Sequence, residues 1–149
     1  MRIIGFGNPQ RGDDAAGVIV AERLRAQSLD ALTVTGDALE LVEACQGADE
    51  LILIDAVVTG APAGTIHLWH GMEPLPAFTT PTSTHGIGLI QALELAHTLH
   101  RLTPHLSIWG IEGQAFEVGS VMSPEVETAI EEVTRRIAVV AIKPSRLPH

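Results

Sequence analysis

Leu51-Ile52-Leu53-Ile54 is an unbroken apolar run, closed by Asp55. A strand packed on one face alternates apolar and polar residues, so four apolar residues in a row predict a central parallel strand covered on both faces. Working outward, Arg2–Phe6 reads as a second buried strand. It leads through the loop Gly7-Asn8-Pro9-Gln10-Arg11-Gly12 into a helix that starts near Asp13 or Asp14 and runs to about Ala26. Val18, Ile19, Ala21 and Leu24 fall on the inner side of that helix. Residues 32–35 read as a short strand, and Ala38–Cys45 as a short helix ended by Gly47. Beyond Val57 the link through Thr59-Gly60-Ala61-Pro62-Ala63-Gly64 is too short for a crossover, so the next strand, at 65–69, is antiparallel to its neighbour. Residues 72–84 are rich in proline and form a long loop, the kind that is usually functional within a compact domain. A strong helix is expected over 86–101 and another buried strand over 106–111. Ser123-Pro124-Glu125 supplies a cap, an N1 proline and a first-turn acid for a last helix reaching about Ile142. Glu131/Arg135 and Glu132/Arg136 stand at supporting i,i+4 spacing on it. The expected architecture is α/β: a three-layer α/β/α sandwich on a mostly parallel five-stranded sheet with one antiparallel strand, forming a single domain over 1–149.

Composition removes several classes of function. Charged residues are 18% of the 149, against about 25% in an average protein, which implies that much of the chain is buried. The formal net charge is −9 and Lys143 is the only lysine, so the clustered cations that neutralise phosphates are missing. Nucleic acid and anionic membrane surfaces are therefore not expected partners. No apolar run is long enough to cross a bilayer, and the amino terminus reads as structure rather than as a signal peptide, which makes the cytoplasm the expected compartment. Cys45 stands alone and excludes both a disulfide framework and a cysteine zinc cage.

Ligands of doubly wound sheets bind beyond the carboxyl ends of the strands, and three ionisable residues fall there. Asp14 opens the helix after the first strand, Asp55 ends the third strand, and His85 closes the proline-rich segment just before a helix. Two carboxylates and an imidazole from three separate segments suit a cation such as nickel, zinc or manganese, and they equally suit acid–base chemistry. Each residue also has a plainer reading. An Asp at a helix start is commonly a cap, and this holds for Asp13 as much as for Asp14. His85, beside Gly86 and Gly88, could satisfy loop carbonyls. Asp55 is harder to dismiss, because a buried carboxylate without a partner is costly.

The glycine loop is not built for phosphate. Gln10 stands where a dinucleotide fingerprint needs its third glycine, no Gly-Lys-Ser/Thr follows, and Asp13 and Asp14 put negative charge where the phosphate would sit. No Gly-x-Ser-x-Gly elbow exists. His97 and His100 have metal-pair spacing but flank a polar stripe, so a solvated face is expected. His67 and His70 fall on opposite faces of a strand.

Three stretches, Gly5-Phe6-Gly7-Asn8-Pro9-Gln10-Arg11-Gly12-Asp13-Asp14-Ala15-Ala16-Gly17, Leu53-Ile54-Asp55-Ala56 and Ser83-Thr84-His85-Gly86-Ile87-Gly88-Leu89, together resemble the hydrogenase maturation proteases. Those peptidases trim the C-terminal extension of the large subunit of [NiFe]-hydrogenases. Gly110-Ile111-Glu112 ahead of the Ser123-Pro124-Glu125 helix adds to the likeness. The resemblance implies that Asp14, Asp55 and His85 engage nickel contributed by the substrate, with Asp14 or Asp55 as catalytic general base on a water. It implies no organic cofactor, and a [NiFe]-hydrogenase large-subunit precursor as partner. In one place the chain departs from the family: a Gly- and Thr-rich turn is replaced by Gly36-Asp37-Ala38-Leu39-Glu40-Leu41, a segment tied to substrate recognition. A second reading is a non-cutting nickel-binding chaperone that inspects the same precursor. The opening Gly-x-Gly-Asn-Pro also begins the peptidyl-tRNA hydrolases, but Gly12-Asp13-Asp14 and the net charge of −9 argue against that alternative.

Overall fold

The apolar run at the centre of the sequence becomes the centre of the sheet. The computed structural model describes residues 1–35, 37–71 and 89–142. Its strands are β1 (Arg2–Phe6), β2 (Ala31–Val34), β3 (Leu51–Val57), β4 (Ile66–His70) and β5 (Leu106–Glu112), ordered β2-β1-β3-β5-β4. All adjacent pairs are parallel except β4 with β5, so the expected antiparallel strand lies at one edge of the sheet, although the short link does not make it a neighbour of β3: β5 lies between them. The helices are α1 (Ala16–Ala26), α2 (Ala38–Cys45), α3 (Leu89–Thr98) and α4 (Pro124–Ile142).

Alternation along the strands divides the core in two. Ile3, Ile52, Ile54 and Ile111 face α1 and α4, while Ile4, Leu51, Leu53 and Ile108 face α2 and α3. Every residue of β3 is buried, because each face of the strand has a helical layer against it. Cys45 belongs to the α2–α3 core, and burial pushes its thiol up to about 11, so it is packing rather than a nucleophile.

Several boundaries differ from the sequence reading. The first helix does not start as an α-helix at Asp13 or Asp14. Gly12–Ala15 form a single 3₁₀ turn, and α-helical geometry begins at Ala16. Strand β2 sits one residue earlier than expected, while β4 starts and ends one residue later. The described part of the helix expected over 86–101 is Leu89–Thr98, with 86–88 outside the described residues. The Ser123 hydroxyl donates to Asp13, while its carbonyl accepts from the Val126 and Glu127 amides at the start of α4. Arg135 turns to Glu132 rather than to Glu131, so one carboxylate holds both Arg135 and Arg136 on an exposed face where such pairs are worth little. Asp37 caps α2 by accepting from the Leu39 and Glu40 amides. Asp37→Ala is expected to cost about 1 kcal/mol in urea unfolding.

The feature that matters most for the site is the crossing of α1 over β1 and β3. A side-chain carbon on Gly17 would overlap the carbonyl oxygen of Ile54, and one on Gly5 would overlap the carbonyl oxygen of Gly17. The two glycines let the backbones touch, which brings the turn carrying Asp14 against the end of the strand carrying Asp55.

Candidate active site

Asp55 occupies the carboxyl end of β3, paired across the ladder with Gly110 of β5. Its parity with Leu51 and Leu53 puts it on the α2–α3 face. The side chain is 1% exposed. Its Oδ1 accepts from the Ala56 amide at 2.8 Å, and its Oδ2 is buried with no hydrogen-bond partner among the described residues. A buried carboxylate oxygen left unmatched costs on the order of 1–3 kcal/mol, so a fold does not retain one for packing. Burial pushes the Asp55 carboxyl well above the usual carboxylate range, and the charge of Asp14 pushes it further, against the Ala56 amide.

Asp14 is the second member of the pair. It sits in the 3₁₀ turn between β1 and α1, where the Asn8 amide donates to its Oδ2 at 3.2 Å. Burial raises its pKa to about 6, opposed by that amide and by the charge of Arg11. The two carboxyls are thus electrostatically coupled and buried in one place. They can share protons at neutral pH, or give them up together to a cation.

Asp13, its neighbour, does something else. Its Oδ2 accepts from the Gln114 and Ala115 amides and from the Ser123 hydroxyl, and its Oδ1 from the Ser123 amide at 2.7 Å. Burial works against its charge, but these four donors outweigh it and hold the carboxyl below its ordinary value. Asp13 is a staple between the first loop and the β5–α4 connection, more than 100 residues away in sequence.

His85 lies outside the described residues. Among the described residues, no three metal-ligating side chains converge. Two carboxylates are what the described part offers a cation, and further ligands would have to come from elsewhere. Helix α3 starts four residues after His85 and packs on the α2–α3 face that Asp55 shares.

One feature at this edge was not anticipated as a cluster. Glu112, at the end of β5, accepts from the Thr59 amide at 2.8 Å and hydroxyl at 2.6 Å, and meets His67 Nε2 at 3.1 Å. Those bonds hold Glu112 below its ordinary pKa despite burial. The His67 ring stacks on Trp69, with centroids 5.2 Å apart. The available signal was a carboxylate ending a buried strand, the same signal that marks Asp55. Its partners, distant in sequence, make it a clamp on the β3–β4 loop. His97 and His100 are exposed, as the polar stripe around them implied. A cavity of about 490 Å³ opens at the opposite end of the sheet, between Glu50, Leu106, Trp109 and Ile137, and neither Asp14 nor Asp55 lines it.

The structure is an α/β sheet with two buried, interacting carboxyls, Asp14 and Asp55, at its carboxyl edge. Residues 21–140 match the family model of the hydrogenase maturation proteases, and the chain belongs to that family. The match includes Asp55 and starts after Asp14. The chain is similar to the hydrogenase expression/formation protein HupD of Thiocapsa roseopersicina, with 27% identity over 136 residues that cover 86% of this chain. It spans 61% of that relative's length. Among solved structures, the [NiFe] hydrogenase maturation protease HybD from Thermococcus kodakarensis shares the fold with a TM-score of 0.78 at 24% identity, covering 95% of this chain and 99% of that one. The hydrogenase maturating endopeptidase HybD from E. coli does so with a TM-score of 0.70 at 24% identity, covering 94% and 93%. These likenesses agree with the expected sandwich and its single antiparallel strand. No helix among the described residues is long and apolar enough to cross a membrane.

Proposed function

We propose that this protein is an endopeptidase that removes the C-terminal extension of a nickel-loaded [NiFe]-hydrogenase large-subunit precursor. The observation that carries the reading is the buried Oδ2 of Asp55, held beside Asp14 with no hydrogen-bond partner among the described residues. Such a pair is costly to the free protein and becomes favourable when the substrate brings a cation or a polarised group to it. Asp14, Asp55 and His85 would engage the nickel that the precursor already carries. The substrate's own metal would then certify that it is ready to be cut.

The two carboxyls divide the chemistry by environment. Asp14 titrates at about 6 and is ionised in a neutral solution, so it serves as general base on a water at the scissile carbonyl. Asp55, held protonated in the free protein by burial and by Asp14, gives up that proton as it engages the substrate's nickel, and the proton that Asp14 takes from the water passes to the leaving amide nitrogen. No organic cofactor enters this scheme, and the cytoplasm is the compartment proposed for it.

The test is the intact mass of the matching precursor, isolated with nickel inserted and measured before and after incubation with the protein. Loss of one defined C-terminal peptide that requires nickel is the expected result. Stable association with no change of mass would overturn the endopeptidase reading and favour a chaperone that inspects the precursor without cutting it.

A further inference from the structure

Two of the most exposed large apolar side chains stand on one loop. Val118 is 74% and Val121 86% exposed, both in the connection between β5 and α4. Exposed valines on a floppy loop would be unremarkable, but this loop is tied down along its length. Asp13 holds it at Gln114, Ala115 and Ser123, Arg11 Nε donates to the Phe116 carbonyl at 2.9 Å, and the Gly119 amide donates to the Gln10 carbonyl at 2.9 Å. Its ordering is therefore complete before any partner arrives, which removes one of the main penalties of association.

The loop and the Gly7–Gly12 segment border an open, shallow groove of about 590 Å³, lined by Pro9, Ile19, Val118, Met122 and Glu127. Ala15, next to Asp14, is part of the same wall. Glu127 gives the groove an acidic wall, Glu117 is exposed on the same loop next to Val118, and Arg11, the cation of the Gly7–Gly12 segment, is engaged with Phe116.

We infer that residues 113–123 are the docking element for the substrate protein, and that the groove takes a precursor segment presenting an apolar side chain beside a lysine or arginine. The inference rests on the proposed reading of the site. The charge complementarity favours a basic segment over an acidic one; Val118 in the groove wall sets the apolar contact, and Val121, exposed on the same loop, extends it beyond the groove. Asp13 then has a double consequence, since it fixes the docking loop and the turn carrying Asp14 as one body.

Both kinds of contact can be removed from the surface without touching the core. The measurement is KM and kcat for cleavage of the nickel-loaded precursor, together with its Kd by equilibrium binding, for two double variants of the full chain. Val118→Ser with Val121→Ser is expected to raise KM and Kd about five- to tenfold with kcat unchanged. Glu117→Gln with Glu127→Gln is expected to raise both about threefold and to flatten the weakening that the wild type shows between 0.05 and 0.5 M salt. KM and Kd within twofold of wild type in both variants would overturn the inference, as would tighter binding by the Gln variant. Because Kd is read apart from cleavage, a wild type that binds without cutting overturns the endopeptidase reading while the docking comparison still stands or falls on its own.

Discussion

Asp55→Asn is expected to eliminate cleavage and, in the same molecule, to make the free protein more stable at neutral pH. The loss of activity should be on the order of 10²–10⁴-fold, since the amide carries no charge toward a cation. The gain in stability follows from the direction of the shift. An unfolded Asp titrates near 3.9, whereas burial and Asp14 hold the folded Asp55 carboxyl well above the usual range. Between those two values the folded state keeps a proton that the unfolded state has released, so stability falls as pH rises through that window. Asp14 adds to the same trend up to its own value of about 6. Asn removes the Asp55 contribution, keeps an acceptor for the Ala56 amide, and offers N–H donors toward Asp14 in place of the unmatched oxygen. The variant should match wild type near pH 4 and exceed it at pH 8 by on the order of 1–3 kcal/mol. For a chain of this size each kcal/mol moves Tm by roughly 2–4 °C. Thermal melts at both pH values, beside the precursor assay, decide the matter. A variant less stable than wild type at pH 8 would mean that Asp55 is structural.

That opposition between stability and activity also explains why part of the site was legible in the sequence. Asp55 interrupts an apolar run at the carboxyl end of a central strand, where no packing role suits a carboxylate, and the strand's position followed from the run itself. Asp14 was harder, because it stands beside a second aspartate with the same local credentials. What separates them is where their partners lie. Asp14 meets Asn8, six residues away, while Asp13 is satisfied by Gln114, Ala115 and Ser123 across the molecule. No local pattern encodes such a contact. Glu112 shows the same limit, since its partners Thr59 and His67 come from the β3–β4 connection and from β4. Ser123 shows how it misleads: Ser before Pro and Glu reads as a helix cap, yet the long-range acceptor won the hydroxyl. The layers and strand order were legible because hydrophobic alternation is local. The small offsets at β2, β4 and the start of α1 arose where the chain enters or leaves regular structure, and there hydrogen bonds to distant segments decide.

Gly17→Ala carries the second large effect, and it tests how the two carboxyls are brought together. In an ordinary helix the change would help, because Gly is about 1 kcal/mol worse than Ala as a helix former. Here the added methyl meets the carbonyl oxygens of Ile54 and Phe6, and neither backbone can yield without disturbing β3 or β1. Overpacking of this kind commonly costs 1–3 kcal/mol. With backbone on both sides, a net loss of about 3 kcal/mol or more is expected, or roughly 6–12 °C in Tm. The carbonyl of Ile54 belongs to the peptide that leads into Asp55, and Gly17 lies three residues after Asp14. Pushing α1 outward therefore separates the pair, and a displacement of about 1 Å is enough to lower cleavage on the order of 10²-fold in whatever fraction remains folded. Gly47→Ala is the control. Gly47 ends α2 at φ +82 with nothing near the position a Cβ would take, so only the strain of the left-handed conformation applies, about 1–2 kcal/mol. Melting curves should show both variants destabilised, but cleavage per folded molecule should fall in Gly17→Ala and stay at the wild-type level in Gly47→Ala. Equal specific activity in the two would mean that the contact between α1 and the sheet serves the fold alone, and that Asp14 keeps its place beside Asp55 by some other means.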